Sequence, residues 1–290
     1  MRYEGPIYRP PSEARSLLIQ ATVGCPHNRC TFCLVYKKIR FKVRPTAEVV
    51  EDLEEARRQF GPGVETLFLP AGNTIAMPAP ALAEVCRAAR RLFPGLRRIT
   101  VYGSAQYVVQ QGPEKLRMLA EAGLSRVHLG LESGDDEVLR RVHKGSTAAV
   151  QTAAGRMLRE AGIEVNLYVV LGLGGKERSA EHARETVRVV NDIAPDVLRL
   201  RTFVPKINTP LLEDVLAGRF QMLSPHQVLR ETLALVEGLR TRTEVASDHY
   251  TNYLDVSGRL PEDRERLRVT LRQALARDET TFRAFFIGRE

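Results

Sequence analysis

Short β-rich runs alternate with amphipathic runs along most of this 290-residue chain. An apolar stretch such as 64-VETLFLP-70 has the composition of a buried strand, and the following stretch, 79-APALAEVCRAARRLF-93, repeats its apolar residues with helical spacing. Strands that are joined by helices pair in parallel through right-handed crossovers. The six strand–helix units between residues 16 and 211 therefore predict an α/β fold, either a barrel or an open sheet.

The same patterns place the predicted elements. The predicted strands are 17–23, 64–70, 98–104, 126–133, 164–173 and 197–204, and the predicted helices are 46–60, 79–93, 113–123, 135–145, 148–162 and 178–193. Residues 1–15 form a lead-in segment. Residues 212–290 are expected to be a mainly helical C-terminal extension packed on the 16–211 domain, with helices at 224–240 and 262–278 and a possible strand at 243–250.

Composition narrows the setting of the protein. No run approaches the roughly 18 consecutive apolar residues of a membrane span, and residues 1–16 lack the features of a signal or transit peptide. The chain is therefore expected to be cytoplasmic and not bound to a membrane. Its formal charge of +8 suits an anionic partner. Because many of the arginines lie beside glutamates in helices such as 51-EDLEEARRQF-60, charge alone does not identify a nucleic-acid ligand.

Three of the four cysteines, Cys25, Cys30 and Cys33, lie within the loop 24-GCPHNRCTFC-33. The loop follows an apolar strand, so it is placed at the C-terminal end of that strand, where α/β enzymes hold their active sites. Cysteines so few and so crowded indicate a reducing compartment and metal binding rather than a disulfide framework. Cys86 lies in a helical run and is expected to be a buried structural thiol.

Three kinds of site are compatible with this loop. The pair in 30-CTFC-33 could be redox-active, which leaves Cys25 without a role. Zinc could take the three thiolates and His27, although His27 follows Cys25 too closely for good reach around one tetrahedral ion. A [4Fe–4S] cluster could take the three cysteines and keep one iron free for an external ligand.

The loop resembles the signature of the radical S-adenosylmethionine (SAM) enzymes, Cys-x3-Cys-x-aromatic-Cys, with four residues instead of three between Cys25 and Cys30. The extra residue is interpreted as a loop insertion. The resemblance implies a partial (β/α)6 barrel in which SAM binds the free iron of a three-cysteine [4Fe–4S] cluster. It also implies reductive cleavage of SAM to methionine and a 5′-deoxyadenosyl radical that abstracts hydrogen from a substrate, with Phe32 near the adenine.

Further segments extend the resemblance over residues 16–211. The segment 71-AGNT-74 corresponds to a Gly-Gly-Glu-like motif whose backbone receives the SAM amino group. The segment 126-RVHLGLESGDDEVLRRVHKG-145 is similar to the branch of oxygen-independent coproporphyrinogen oxidases, methylthiotransferases and elongator-type tRNA enzymes. In that branch the glutamate at the position of Glu132 contacts the ribose or methionine part of SAM. The implied SAM-binding residues are Phe32, Ala71, Gly72, Asn73, Glu132, Ser133, Asn166 and Val204.

Several of these residues also have purely structural interpretations. Ser133 could cap the next helix, Asn166 could be an exposed polar residue of its strand, and 71–74 could be an ordinary turn. His128 is expected to be a satisfied core or surface histidine. The pair 143-HK-144 is interpreted as a helix end that favours the helix dipole.

The resemblance does not identify the substrate, which the C-terminal extension is expected to select. The segment 247-SDHYTNY-253 could bring Asp248, His249 and Tyr253 to the barrel mouth as acid–base or binding residues, or it could be a polar surface turn. The segment 36-YKK-38 could contact an anionic substrate or RNA, or could simply be solvated.

The remaining cysteine count limits the reaction type. With Cys86 alone outside the loop, protein thiolates cannot build a second Fe–S cluster, so methylthiotransfer of the usual kind is not expected. As a separate expectation, the chain is predicted to have no cobalamin-binding domain. The predicted function is a single-cluster radical SAM enzyme that receives electrons from a donor such as flavodoxin or ferredoxin and acts on a small molecule or RNA. The alternatives are a tRNA-modifying radical SAM enzyme and a protein with a structural zinc or Fe–S site and no SAM turnover.

Overall fold

The computed structural model describes residues 1–288, which divide into two compact units. The first unit contains residues 1–28, 35–129 and 154–165, and the second contains residues 29–34, 130–153 and the chain from Asn166 onward. Within the described residues, no helix is both long enough and apolar enough to cross a lipid bilayer.

Parallel strands form the centre of the first unit. In the order in which they pair, these are β1 (Leu17–Leu18), β4 (Thr66–Leu69), β5 (Arg98–Gly103) and β6 (Arg126–Glu132), and a separate antiparallel pair consists of β2 (Thr22–Val23) and β3 (Lys42–Val43). The helices between the strands are α1 (Thr46–Phe60), α2 (Ala79–Leu92) and α3 (Ala105–Glu121). The chain then continues through α4 (Asp136–Arg141), which belongs to the second unit, and α5 (Ala148–Glu160), which returns to the first unit at Ala154.

The second unit continues the same alternation. The strands β7 (Glu164–Leu171), β8 (Val197–Thr202) and β9 (Thr243–Ala246) pair in parallel, and β10 (Gly258–Leu260) runs antiparallel to β9. The helices are α6 (Gly175–Ile193), α7 (Pro210–Leu216), α8 (Pro225–Gly238) and α9 (Arg264–Leu275). This mostly parallel arrangement of strands and helices confirms the predicted α/β class.

Several element boundaries differ from the prediction, most clearly those of the predicted 17–23 strand and the predicted 113–123 helix. The predicted 17–23 strand is two short strands, β1 and β2, which pair with different strands. Between β1 and β2, the side chain of Gln20 hydrogen-bonds the backbone of the lead-in segment: its Oε1 accepts from the N–H of Glu4 at 2.7 Å, and its Nε2 donates to the C=O of Glu4 at 2.9 Å. The predicted helix at 113–123 begins earlier, at Ala105, and Gly112, with φ of +74°, interrupts it. Glycine tolerates this left-handed backbone, and Pro113 then restarts the helix.

The strands of the second unit separate apolar from polar side chains. In the middle of β7 and β8, one face carries the fully buried aliphatic side chains of Leu167, Val169, Leu198 and Leu200. The alternate positions carry Asn166, Tyr168, Arg199 and Arg201, with the apolar Val170 and Val197 on the same face. The parallel register places Tyr168 beside Arg199.

A buried carboxylate from the lead-in segment lies on the polar face of β5 and β6 in the first unit. Glu13 is fully buried, accepts hydrogen bonds from Ser16 at 2.6 Å and Arg98 at 3.2 Å, and lies 3.3 Å from Nε2 of His128. Burial alone would raise the pKa of Glu13, but the hydrogen bonds from His128 and Ser16 and the charge of Arg98 outweigh burial and lower the pKa to about 2. His128 is 1% exposed, which confirms the prediction of a core histidine.

Replacement of Glu13 by alanine is expected to lower the free energy of unfolding by about 3–5 kcal/mol, because it leaves buried cationic groups without their carboxylate. The low folded pKa means that Glu13 stabilises the fold above its ordinary value near 4.5, and that this stabilisation is lost as the pH falls toward about 2. Urea unfolding at several pH values measures both effects. Glu55→Ala, at an exposed i,i+3 ion pair with Arg58, is the control and should barely move the midpoint; an equally small effect of Glu13→Ala would contradict this account.

Candidate functional site

The first part of the cysteine loop packs against the turn after β4. Gly24 has φ of +75°, and its carbonyl accepts a hydrogen bond from the N–H of Gly72 at 3.0 Å. A Cβ at Gly72 would lie 2.7 Å from Cβ of Cys25 and 2.8 Å from the ring of Tyr36. Position 72 therefore requires glycine so that the turn can approach Cys25.

The rest of the turn after β4 is held by backbone strain and by an amide side chain. Ala71 has φ of +113°, which is unusual for a residue with a side chain. Asn73 is fully buried, its Nδ2 donates to Oγ of Ser104 at 2.7 Å, and its Oδ1 accepts from the N–H of Ser104 at 2.9 Å. The Asn73 side chain thus joins the ends of β4 and β5, and any ligand contact at 71–73 is left to the backbone.

The second part of the cysteine loop lies in the other unit and is fixed by its backbone. The N–H of Thr31 donates to the carbonyl of Val142 at 3.0 Å, and the carbonyl of Thr31 accepts from Leu211 at 3.1 Å. The side chain of Phe32 packs against an apolar cluster formed by Val138, Val142, Leu173, Phe203 and Leu211. The turn that carries Cys30 and Cys33 is therefore anchored to the start of α7 and the end of α4.

The cysteines differ in their surroundings. Cys25, Cys30 and Cys33 are half-buried, whereas Cys86 is fully buried, and its burial raises the pKa of its thiol to about 12. This confirms Cys86 as an inert structural thiol. Within residues 1–288 no three His, Cys, Asp or Glu side chains are arranged as a preformed metal site, so the ligand role of the three loop cysteines stays a prediction.

Glu132 ends β6, as predicted, and binds a lysine that the sequence did not indicate. Nζ of Lys144 donates to Oε1 of Glu132 at 2.7 Å, and the side chains are 7% and 15% exposed. Glu132 has φ of +64°, which turns the chain sharply out of the strand. A Cβ at Gly130 would collide with the Glu132 carboxylate and lie 2.8 Å from Nζ of Lys144, so glycine makes room for the pair. His143 and Lys144 do close the end of α4, as predicted, because their N–H groups donate to the carbonyls of Arg140 and Leu139. The ammonium group of Lys144 binds Glu132 instead of acting on the helix dipole.

Ser133 is buried in a polar network rather than exposed beside Glu132. Its Oγ lies 2.7 Å from Nδ1 of His182 and accepts a hydrogen bond from the N–H of Asp135 at 3.0 Å, while the helix cap is Asp135 itself. Beyond His182 lies Glu231, whose carboxylate accepts from the N–H of Gly172 at 2.7 Å. Burial raises the pKa of Glu231, although the charge of His182 and the hydrogen bonds that Glu231 accepts from Ser179 and Gly172 act to lower it. The network joins the turns after β6 and β7 to α8.

The other predicted SAM-binding residues are both buried. Asn166 is the third residue of β7 and is 1% exposed, so it is not a surface residue, and its Oδ1 has no hydrogen-bond partner among the described residues. Val204 follows β8 directly and is 6% exposed. An unpaired buried amide oxygen is costly unless a ligand or water donates to it.

The three candidates in the C-terminal extension occupy two different surroundings. Oδ1 of Asp248 accepts from Nη1 of Arg199 at 2.5 Å, and His249 lies close to Arg199 and Arg201, which help to lower its pKa to about 4 after burial has contributed most. Tyr253 instead stacks under Arg283, with the guanidinium carbon 4.2 Å from the ring centre. The structure therefore groups Asp248 and His249 with β8. Arg199 and Arg201 were missed in the sequence analysis. Two arginines at alternate positions of the mainly aliphatic 197-VLRLRT-202 are the signal that could have found them.

Comparison with known proteins identifies the family. The model of the radical SAM superfamily matches residues 19–190. The chain is 29% identical over 195 residues to the anaerobic magnesium-protoporphyrin IX monomethyl ester cyclase of Cereibacter sphaeroides, covering 66% of this chain and 31% of that protein. It is 26% identical over 273 residues to the tRNA-2-methylthio-N(6)-dimethylallyladenosine synthase of Hydrogenovibrio crunogenus, covering 88% of this chain and 56% of that protein.

A solved structure supports the same fold. Methylornithine synthase aligns with a TM-score of 0.57 at 20% identity, over 88% of this chain and 68% of that one. This chain spans about a third of the length of the cyclase (31%) and about half of that of the tRNA-modifying synthase (56%). The segment matched by the family model covers more than half of the chain and includes the cysteine loop, Glu132 and Asn166. The protein therefore belongs to the radical SAM superfamily.

Proposed function

We propose that this chain is a radical SAM enzyme that holds one [4Fe–4S] cluster on Cys25, Cys30 and Cys33. When held there and reduced, such a cluster would supply the electron for reductive cleavage of SAM to methionine and a 5′-deoxyadenosyl radical, the species that would abstract hydrogen from the substrate. The observation that carries the proposal is the cysteine loop, which has three cysteines within nine residues, one fewer than a closed four-thiolate site needs. The electron is proposed to come from a cytoplasmic flavodoxin or ferredoxin.

The residues proposed to bind SAM have the chemistry that this ligand needs. The close approach that Gly72 permits keeps the backbone at 71–73 beside Cys25, where it is suited to receive the amino group of SAM. Glu132, oriented by Lys144, offers a carboxylate to ribose hydroxyls or to the amino group. The unpaired Oδ1 of Asn166 can accept a ribose hydroxyl. These side chains bind and orient SAM in the proposal, and none of them is required to transfer a proton.

Anaerobic reconstitution with iron and sulfide tests the cluster assignment. We expect about four irons and four sulfides per chain and a brown absorbance that dithionite bleaches. A colourless protein that retains one zinc per chain would instead favour the structural-site alternative.

Glu132→Gln is expected to weaken SAM binding by about tenfold or more, because a charged hydrogen-bond acceptor is lost and Lys144 is left without its carboxylate. Equilibrium dialysis with labelled SAM on the reconstituted protein measures this. Lys115→Met, at an exposed lysine of α3, is the control. Equal affinity in Glu132→Gln and wild type would remove Glu132 from the SAM site.

A tRNA-modifying enzyme is the second candidate. The relative from H. crunogenus is named for a tRNA modification and aligns over 88% of this chain, and the formal charge of +8 suits RNA. This candidate requires tRNA binding whose affinity falls steeply with salt. Filter binding at 50 and 200 mM salt, with a tRNA transcript as the probe, decides it: we expect at least about a tenfold loss if several phosphates are contacted.

A further inference from the structure

An excess of positive charge lies at the C-terminal end of β8, in the second unit. β8 carries Arg199 and Arg201 at alternate positions, which places both side chains on the same strand face, and Lys206 follows the strand. The segment after β9 adds one carboxylate, Asp248, which binds Arg199. Three cations and one carboxylate leave this end of the strand positively charged.

The two arginines have hydrogen-bonding capacity that the described chain does not use. Arg199 is 5% exposed, and its Nε makes no hydrogen bond within residues 1–288. Arg201 is half-buried and forms neither a hydrogen bond nor an ion pair with any other described residue. Because charged groups are costly to remove from water without a partner, these donors are suited to an anion that enters with the ligand.

His249 contributes an uncharged donor at the same place. Its Nδ1 accepts a hydrogen bond from the N–H of Thr251 at 3.2 Å and lies 2.8 Å from the hydroxyl of Thr251, so the hydrogen of the neutral ring is on Nε2. Burial and then the charges of Arg201, Arg199 and Lys206 lower the pKa of His249 to about 4, against the opposing charge of Asp248. At neutral pH the ring therefore donates through Nε2 without carrying a charge.

The loop that holds His249 is fixed to β8 by one side chain. Oδ1 of Asn252 accepts from the N–H of Thr202 at 2.7 Å, and Nδ2 donates to the carbonyls of Leu200 and Ser247, both at 2.9 Å. The bonds to Thr202 and Leu200 join the loop to the backbone at the end of β8, and the bond to Ser247 closes the loop on its own backbone. The donors around β8 are therefore held in place before any ligand arrives.

We propose that Arg199, Arg201 and His249 form a subsite for an anionic group, a carboxylate or a phosphate, on a small-molecule substrate. The inference rests on the proposed function, because such a subsite would hold that substrate for hydrogen abstraction. Arginine forks bind both kinds of group through paired N–H···O bonds. The buried position of Arg199 suits a single anionic group, whereas the phosphodiester chain of RNA is bound by exposed basic surfaces.

The test uses the unmodified full chain and follows the ring of His249 by ¹H–¹⁵N correlation. The signal is assigned from its loss in His249→Gln, and the protein is titrated separately with sodium phosphate and sodium succinate, with chloride balancing the ionic strength. We expect a saturable shift of the His249 signal with at least one anion, and which anion binds distinguishes a phosphate from a carboxylate. In Arg201→Gln the apparent Kd should rise by about tenfold or more, and in Arg117→Gln, at an exposed arginine of α3, it should equal the wild-type value.

The remaining histidine signals report whether Arg201→Gln is folded, and Arg201→Lys, which keeps the charge but loses the fork, should bind with intermediate affinity. The inference is overturned if neither anion gives a saturable shift in the wild type, or if Arg201→Gln binds as the wild type does. Arg201-dependent binding of an oligoribonucleotide without binding of either small anion would overturn it in favour of RNA. Since the titration needs neither cluster nor SAM, a failure here is separate from a failure to form 5′-deoxyadenosine.

Discussion

Cys30→Ala is expected to abolish cluster assembly and, with it, SAM cleavage. A three-cysteine cluster has no spare protein ligand, and the described residues offer no other cysteine in the loop to replace the missing thiolate. Replacing a residue that only orients a metal ligand already lowers metal affinity or activity by about 10–100-fold. Loss of a ligand itself should therefore lower 5′-deoxyadenosine formation by about 100-fold or more. Iron content and visible absorbance after reconstitution measure the first effect, and chromatography of the nucleoside measures the second.

Cys86→Ala is the matched control for that experiment. Cys86 is fully buried in α2, and its thiol is held protonated by burial. Its removal should cost some stability through a small cavity, but iron content should stay at the wild-type level. If Cys30→Ala retained full iron and activity, or if Cys86→Ala lost its iron, the assignment of the loop cysteines would be wrong.

Gly72→Ala is expected to lower cluster occupancy and SAM cleavage by about 10–100-fold, although it adds only one methyl group. The new Cβ would lie 2.7 Å from Cβ of Cys25 and 2.8 Å from the ring of Tyr36, which is itself 6% exposed and held against Tyr8. Such distances require the neighbours to move. Because Tyr36 is packed, the displacement should fall on Cys25 or on the turn at 71–73.

The control for Gly72→Ala is Gly95→Ala. An added Cβ at Gly95 meets no atom within 4 Å. Iron content, SAM affinity and urea unfolding of both variants separate a local displacement from general destabilisation. We expect Gly95→Ala to match the wild type in all three. Wild-type iron content and SAM affinity in Gly72→Ala would show that the turn after β4 does not support the cysteine loop.

Much of the fold follows from local patterns that the sequence displays. Helical spacing within 79–93 and apolar runs such as 126–133 place elements because periodicity reflects which face of a single segment is buried. The same reasoning identified Cys86 as a buried thiol and placed Glu132 at a strand end. It did not predict β10, a short strand between the possible strand at 243–250 and the helix at 262–278, because three residues are too few for an alternating pattern to appear.

The details of the candidate site depend on contacts between residues far apart in sequence, which periodicity does not report. Lys144 binds Glu132 across the length of α4, and Ser133 is buried because His182 on α6 and the turn at 134–135 enclose it. Asp248 meets Arg199 only because β9 pairs beside β8. Each of these pairings is set by the topology of the strands, so the residue types were visible in the sequence but their partners were not.

The most direct test of the central claim is the formation of 5′-deoxyadenosine from SAM by the reconstituted, dithionite-reduced protein under anaerobic conditions. The triple replacement of Cys25, Cys30 and Cys33 by alanine provides the background. The account predicts 5′-deoxyadenosine with the wild type and none above background with the triple variant. A wild-type protein that carries about four irons per chain and still forms no 5′-deoxyadenosine would contradict the proposed function.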